Sequence, residues 1–187
     1  MDFMAGLYIH IPFCASRCIY CGFYSTTSVT LQDEYVDALC REMELRTDAQ
    51  PLSTIYLGGG TPSQLSHANL VRLFQHIYNR YKVAGEAEVT MECNPDDVHP
   101  GMLRDLPVNR VSMGAQTFAD DRLRFLHRRH TASEVDEAVR TLRHDGVNNI
   151  SIDLMFGFPG ETMEEWQRDI DHALALHPEH ISAYSLM

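Results

Sequence analysis

The chain alternates between two periodicities. Over residues 7–12, Leu7, Ile9 and Ile11 alternate with Tyr8, His10 and Pro12, the period of two that marks a strand. A helix is then predicted from near Thr30, with Asp33 three residues on and Leu31, Tyr35, Leu39 and Met43 at a spacing of four. A second strand, over 54–57, runs into Gly58-Gly59-Gly60. Ser66 opens a helix whose stripe is Leu70, Leu73, Phe74, Ile77, Tyr78 and Tyr81. A strand over 88–92 stops at Asn94-Pro95, and a short helical piece is expected over 100–106. The fourth strand spans 110–116. A polar connection then leads to Thr131-Ala132-Ser133-Glu134, a capping box for a helix that buries Val135, Ala138, Val139 and Leu142 and stops near Gly146. A strand over 149–155, a second capped helix from Thr162 and a strand over 181–186 complete the order.

Strands separated by helices at crossover spacing predict an α/β fold with a parallel sheet. Six strands are too few for an eight-stranded barrel and suit an incomplete one. Its two faces differ in chemistry. Ile9, Ile55, Leu57, Val89, Met91, Val111, Met113, Ile150, Ile152 and Ile181 would pack outward on helices. The inner face would carry Tyr8, His10, Tyr56, Gly58, Thr90, Glu92, Ser112, Gly114, Gln116, Ser151, Asp153 and Ser182. A dry, unpaired interior of that kind costs several kcal/mol, so the pattern predicts a cavity that holds a polar ligand.

At 187 residues the chain supports one core, and a single domain over 1–187 is expected. A net charge of −11, from 15 basic and 26 acidic residues, argues against a nucleic-acid or anionic-membrane partner. No apolar run is long enough for a bilayer span and no leader pattern opens the chain, so a cytoplasmic protein is expected. Five cysteines is an odd number, three of them within eight residues, and reduced thiols are expected rather than a disulfide framework. Cys40 reads as a small buried hydrophobe and Cys93 as a structural residue at a strand end.

Cys14, Cys18 and Cys21 form C-x3-C-x2-C just after the first strand. Three thiolates are one fewer than a closed four-cysteine metal site needs, which leaves a position open for a ligand. His10 is a candidate fourth ligand for a structural zinc, although its position on an extended strand does not match the paired spacing of such sites. In a parallel barrel the ligand site lies where the strands end, which places Cys14, Cys18, Cys21, the glycine run, Glu92, Gln116 and Asp153 on one rim.

The cysteine spacing with Tyr20, the downstream Gly58-Gly59-Gly60-Thr61-Pro62 and the opening Tyr8-Ile9-His10-Ile11-Pro12-Phe13-Cys14 resemble the radical S-adenosylmethionine (SAM) superfamily. Within it they resemble the oxygen-independent coproporphyrinogen III oxidase branch, which includes the HemW-like haem chaperones. The resemblance implies a partial (β/α)6 barrel, here without the C-terminal domain that members of the branch carry, so that apolar surface should be exposed and association favoured. It implies a [4Fe-4S] cluster on Cys14, Cys18 and Cys21, with SAM chelating the open iron and undergoing reductive cleavage of its sulfonium C–S bond in an oxygen-sensitive protein. SAM-contacting positions by resemblance are Tyr8, Tyr20, Gly59, Gly60, Thr61, Glu92, Gln116, Arg128 and Asp153. Arg128 has an alternative reading as part of an exposed face with Arg122, Arg124 and Arg129. No catalytic residue is assigned. The oxidases carry a further cysteine two residues after the third cluster cysteine, where this chain has Phe23. That departure ranks a HemW-like haem-trafficking role above coproporphyrinogen oxidation, with a structural zinc protein as the remote alternative. Implied partners are SAM, a porphyrin or haem in a longer protein, and an electron-donor protein if the cluster is redox active.

Overall fold

The computed structural model describes residues 5–46 and 50–187. Its six strands are β1 (Ala5–Ile11), β2 (Leu52–Gly59), β3 (Val83–Cys93), β4 (Arg110–Gln116), β5 (Ile150–Phe156) and β6 (His180–Ser185). They lie side by side in sequence order, every neighbouring pair parallel. The sheet is open, with β1 and β6 at its edges, as the expected incomplete barrel requires. The crossovers use α1 (Gln32–Leu45), α2 (His67–Arg80), α4 (Ala132–His144) and α5 (Met163–Ala175), while α3 (Asp120–Phe125) precedes α4.

Local chemistry accounts for the helix starts. Ser66 Oγ accepts a hydrogen bond from Asn69 N at 3.2 Å to begin α2. Thr131 and Thr162 open α4 and α5 with capping boxes, in which the backbone N–H of each threonine donates to Glu134 and Glu165 at 2.7 and 2.9 Å. The helices cover the expected outward face: Ile55, Leu57, Val89, Met91, Val111, Met113, Ile150 and Ile152 form one core with Val36, Leu70, Leu73, Ile77, Val135 and Leu142. Burial of this one face is what fixes the register of such strands, since a one-residue slip would turn the apolar set into the lumen.

Four local expectations are corrected. Thr30 caps nothing: a single 3₁₀ turn over Val29–Leu31 precedes α1, leaving Leu31 exposed while Val36 and Met43 are buried. Tyr78 lies on the exposed side of α2. Tyr81 falls past its last turn, where the phenol donates to Met43 O and Arg46 O and ties the ends of α1 and α2 together. Residues 100–105 form turns, and a short helix, α3, stands instead within the stretch expected to be a plain polar connection. His130 is buried against Ala115 O, and burial pushes its pKa down to about 4. Among the described residues no helix is long and apolar enough to cross a membrane.

Candidate functional site

The cysteine loop is built onto the end of β1. Phe13 bridges Thr26, Cys14 N donates to Thr26 O at 3.0 Å and Thr26 N returns to Pro12 O at 2.8 Å, so both ends of the loop are clamped together. Phe13 anchors it edge-on to Tyr35, 5.4 Å between ring centroids. Farther along, Cys21 N donates to Cys18 O at 3.2 Å and Ile19 N reaches Leu126 O, just past α3, at 3.2 Å. Cys14 is buried, Cys18 and Cys21 are half-buried, and all three are free thiols.

The glycine run joins this loop to β2. Gly60 N donates to Ile11 O at 2.8 Å and Thr61 N to Phe13 O at 2.7 Å, extending the β1–β2 pairing into the loop. A Cβ on Gly60 would stand 2.8 Å from the Pro12 carbonyl, and Gly59 has φ +114° with its Cβ position 2.5 Å from the His10 ring. These glycines therefore serve the approach of two backbone segments. Glu92, near the end of β3, accepts from Gly59 N at 3.0 Å and Tyr56 OH at 2.8 Å. Asp153 on β5 accepts from Ser112 Oγ at 3.3 Å. Burial, reinforced by the charge of Glu92, raises its pKa to about 6. Gln116, buried and left-handed at φ +68° where the β4–β5 register breaks, accepts from Tyr184 OH at 2.6 Å. A non-glycine residue in that conformation marks a position the surrounding structure holds in place.

One cavity is lined by Cys14, Cys18, Cys21, Tyr20, Gly59, Gly60, Thr61, Glu92, Gln116, Arg128 and Asp153. Of the cysteines and the SAM-contacting positions implied by the resemblance, Tyr8 alone lies outside it: it is 58 % exposed, stacks on Tyr56 with ring centroids 6.1 Å apart, and its OH lies 3.2 Å from His10 Nδ1. Arg128 points inward. Its Nη2 donates to Gly114 O at 2.6 Å and Asn94 Oδ1 at 2.7 Å, and Nη1 lies 3.7 Å from Cys18 Sγ. The exposed-face alternative fails because the four arginines have separate surroundings. Arg122 pairs with Glu161 and Glu165 and sits over Phe158, Arg129 pairs with Asp96 and Asp97, and Arg124 is exposed. Sequence reading missed Asn94 and Tyr184. Asn94 was marked only as a turn beside Pro95, and Tyr184 shares the inward alternation of β6 with Ser182.

The donor set fits a cluster better than a single ion. Among the described residues no three His, Cys, Asp or Glu side chains gather closely enough to hold one metal ion, whereas zinc needs four ligands within about 2.3 Å of one centre. A four-iron cluster takes each thiolate on a different iron and so spreads its ligands more widely. Cys93 borders the cavity from the end of β3, but its side chain packs in the buried core, where burial holds the thiol well above the usual range. The Arg128 Nε, buried without a partner, belongs to a guanidinium aimed at this loop, as an anionic cluster would require. His10 spends its ring on Tyr8 OH and Tyr24 O and does not line the cavity.

Comparison with known proteins agrees with this geometry. The family model described as the Radical SAM superfamily matches residues 8–173. The haem chaperone HemW of Bacillus subtilis is 42% identical over 98% of this chain and 51% of its own length, and that of Synechocystis is 37% identical over 96% and 46%. The chain thus spans about half the length of the curated relatives it matches. Among solved structures, coproporphyrinogen III oxidase (HemN) of Escherichia coli, described as a radical SAM enzyme, superposes with a TM-score of 0.89 at 28% identity, over 97% of this chain and 44% of that one.

Proposed function

The chain belongs to the radical SAM superfamily, and on that footing we propose that it is the cluster- and SAM-holding half of a HemW-like haem-handling protein. Cys14, Cys18 and Cys21 hold a [4Fe-4S] cluster with one iron left for SAM. Bound together, cluster and SAM supply one-electron reductive cleavage of a C–S bond. The chain's own residues bind and orient. Arg128 places a positive charge beside Cys18 and balances cluster anion charge. Glu92, fixed from two sides by Gly59 N and Tyr56 OH, offers a carboxylate to an ammonium group. Gln116 and Asp153 offer an amide and a carboxylate to hydroxyl groups farther along the cavity, and Tyr20 and Thr61 line it.

The observation that carries this reading is the meeting of three free thiols, Arg128, Glu92 and Asp153 at one cavity, from stretches of sequence far apart. Phe23, 66% exposed at the position where the oxidases carry another cysteine, favours the haem-chaperone branch. The HemN superposition keeps coproporphyrinogen oxidation as the second reading. Five free cysteines suit a reducing compartment such as the cytoplasm, and an electron-donor protein goes with either reading.

Anaerobic iron and sulfide analysis, with electron paramagnetic resonance of the reduced protein before and after adding SAM, tests it. About four irons per chain and a signal that changes with SAM are expected, both lost in Cys18→Ser. Zinc without iron, or a signal indifferent to SAM, refutes the assignment. Haem titration of a longer protein that includes this half, set beside a coproporphyrinogen consumption assay, separates the two branches.

A further inference from the structure

Behind the cysteine loop a second cavity, of about 590 Å³, opens into the lumen of the sheet. It shares Tyr20, Cys21, Phe23, Ser112, Asp153 and Tyr184 with the first, so the two are continuous. Its other walls are largely apolar, including Tyr56, Met155 and Leu186. Arg110, the first residue of β4, is the sole basic residue among the described residues that line it. Arg110 faces inward with Ser112 and Gly114 at alternate positions of β4, yet it is half-buried and makes no hydrogen bond or ion pair with any described residue. The other half-buried arginines among the described residues are committed: Arg72, Arg122, Arg128 and Arg143 each hold a carboxylate or a carbonyl. Asp153, the one acid in this cavity, is hydrogen-bonded to Ser112 and feels the charge of Arg110 across the lumen without pairing to it.

We propose that Arg110 anchors the carboxylate of a planar, largely apolar ligand whose ring system lies in this cavity between Tyr56, Tyr184 and Phe23. An unpaired guanidinium in an apolar recess calls for an anion, and arginine matches a carboxylate through two parallel N–H donors. The aromatic walls call for a flat apolar body. The distance sets its size: Gly114 already borders the first cavity, and four residues of strand at the usual rise separate it from Arg110 by about 13 Å. A ring carrying a short acid side chain spans that length, leaving its far edge toward the cysteine loop. A tetrapyrrole with propionate groups has this form. Naming the ring as a tetrapyrrole rests on the haem reading above, whereas the carboxylate anchor rests on the cavity alone.

The test compares, on the 187-residue chain without iron, the binding of protoporphyrin IX with that of its dimethyl ester, and of 1-pyrenebutyrate with its methyl ester, by fluorescence. The free acid of protoporphyrin IX is expected to bind about tenfold more tightly than the ester, as charge-assisted hydrogen bonds predict. Arg110→Gln should abolish that preference while leaving ester binding in place, Arg110→Lys should keep part of it, and Arg140→Gln on exposed α4 should keep all of it. The melting temperature of Arg110→Gln should stay close to that of the parent, since the guanidinium gives up no hydrogen bond or ion pair and only its longer-range effect on Asp153. An equal affinity for acid and ester of both probes, or a preference that survives Arg110→Gln, would overturn the proposal. An Arg110-dependent preference for pyrenebutyrate with none for the porphyrin supports the anchor and removes the tetrapyrrole. Because the assay needs no cluster, a failure to assemble iron bears only on the function proposed above.

Discussion

The two faces of the sheet are made from the same six strands and obey opposite rules. On the helix side Leu57, Met91, Val111, Met113, Ile150 and Ile152 are wholly buried, and nothing there needs a partner beyond close contact. On the lumen side most polar residues have an address. Glu92 is held by Gly59 and Tyr56, Gln116 by Tyr184, Asp153 by Ser112, and Thr90 Oγ1 donates to Glu88 at 3.0 Å. The outer face therefore secures the strands, and its packing offsets the cost of keeping a buried donor such as Arg128 Nε unpaired in the lumen. Alternation along a strand lets one residue serve packing and the next serve binding.

Truncating the outer face is the strongest way to test that division. Leu57→Ala should cost about 2–5 kcal/mol in urea unfolding by opening a cavity in the core, whereas Arg110→Gln should cost nothing. Next comes the seam between the faces. Gly60→Ala should destabilise by roughly 2–3 kcal/mol, on the scale of core overpacking, because its Cβ meets the Pro12 backbone. It should also lower the iron content of reconstituted protein, a second loss that Leu57→Ala lacks once folded. A glycine needed only for ligand approach would leave stability unchanged.

On the lumen face the expected effects are smaller and depend on conditions. The folded-state pKa of Asp153 lies near 6, above that of a free carboxyl. The native chain therefore holds a proton in the window from about pH 4 to 6 that the unfolded chain has released, and stability falls as pH rises through it. Asp153→Asn should remove that fall, leaving the variant more stable than the parent above pH 6 by at most about 3 kcal/mol and no more stable near pH 4. His130 works in the opposite sense, its lowered pKa costing stability as pH drops from 6.5 toward 4, so the comparison must be made between the two proteins at each pH. The smallest effect belongs to Tyr184→Phe. It deletes one hydrogen bond to Gln116 for about 1 kcal/mol or less in stability, and its main consequence should be weaker SAM binding by calorimetry.

What the sequence made legible follows the same division. The strands and the best helices were readable because burial imposes a period, and the cysteine spacing with the glycine run was readable because it is contiguous. Asn94 and Tyr184 were not, since their importance lies in Arg128 and Gln116, 34 and 68 residues away in the chain. Six-residue α3 shows too little stripe to register, with only Leu123 buried. The left-handed Gln116 is a product of the register break beside it and has no local signature. The polar lumen was correctly seen as costly, but part of the cost is met internally: Ser151 Oγ lies 2.9 Å from His180 Nδ1 and Thr90 is satisfied by Glu88, leaving a ligand to satisfy fewer groups than alternation alone implied.

The strands stand in the sheet in the order in which they occur along the chain. A chain emerging from the ribosome can thus lay down each strand against the one already made, and no strand has to wait for a distant partner or insert between two others. By the time residue 130 has been synthesised, the cysteine loop, the glycine run, Glu92, Gln116 and Arg128 are all present, while Asp153 and Tyr184 are still to come. The iron side of the site is complete in sequence before the far wall exists, so order of synthesis and depth of the site run in the same direction.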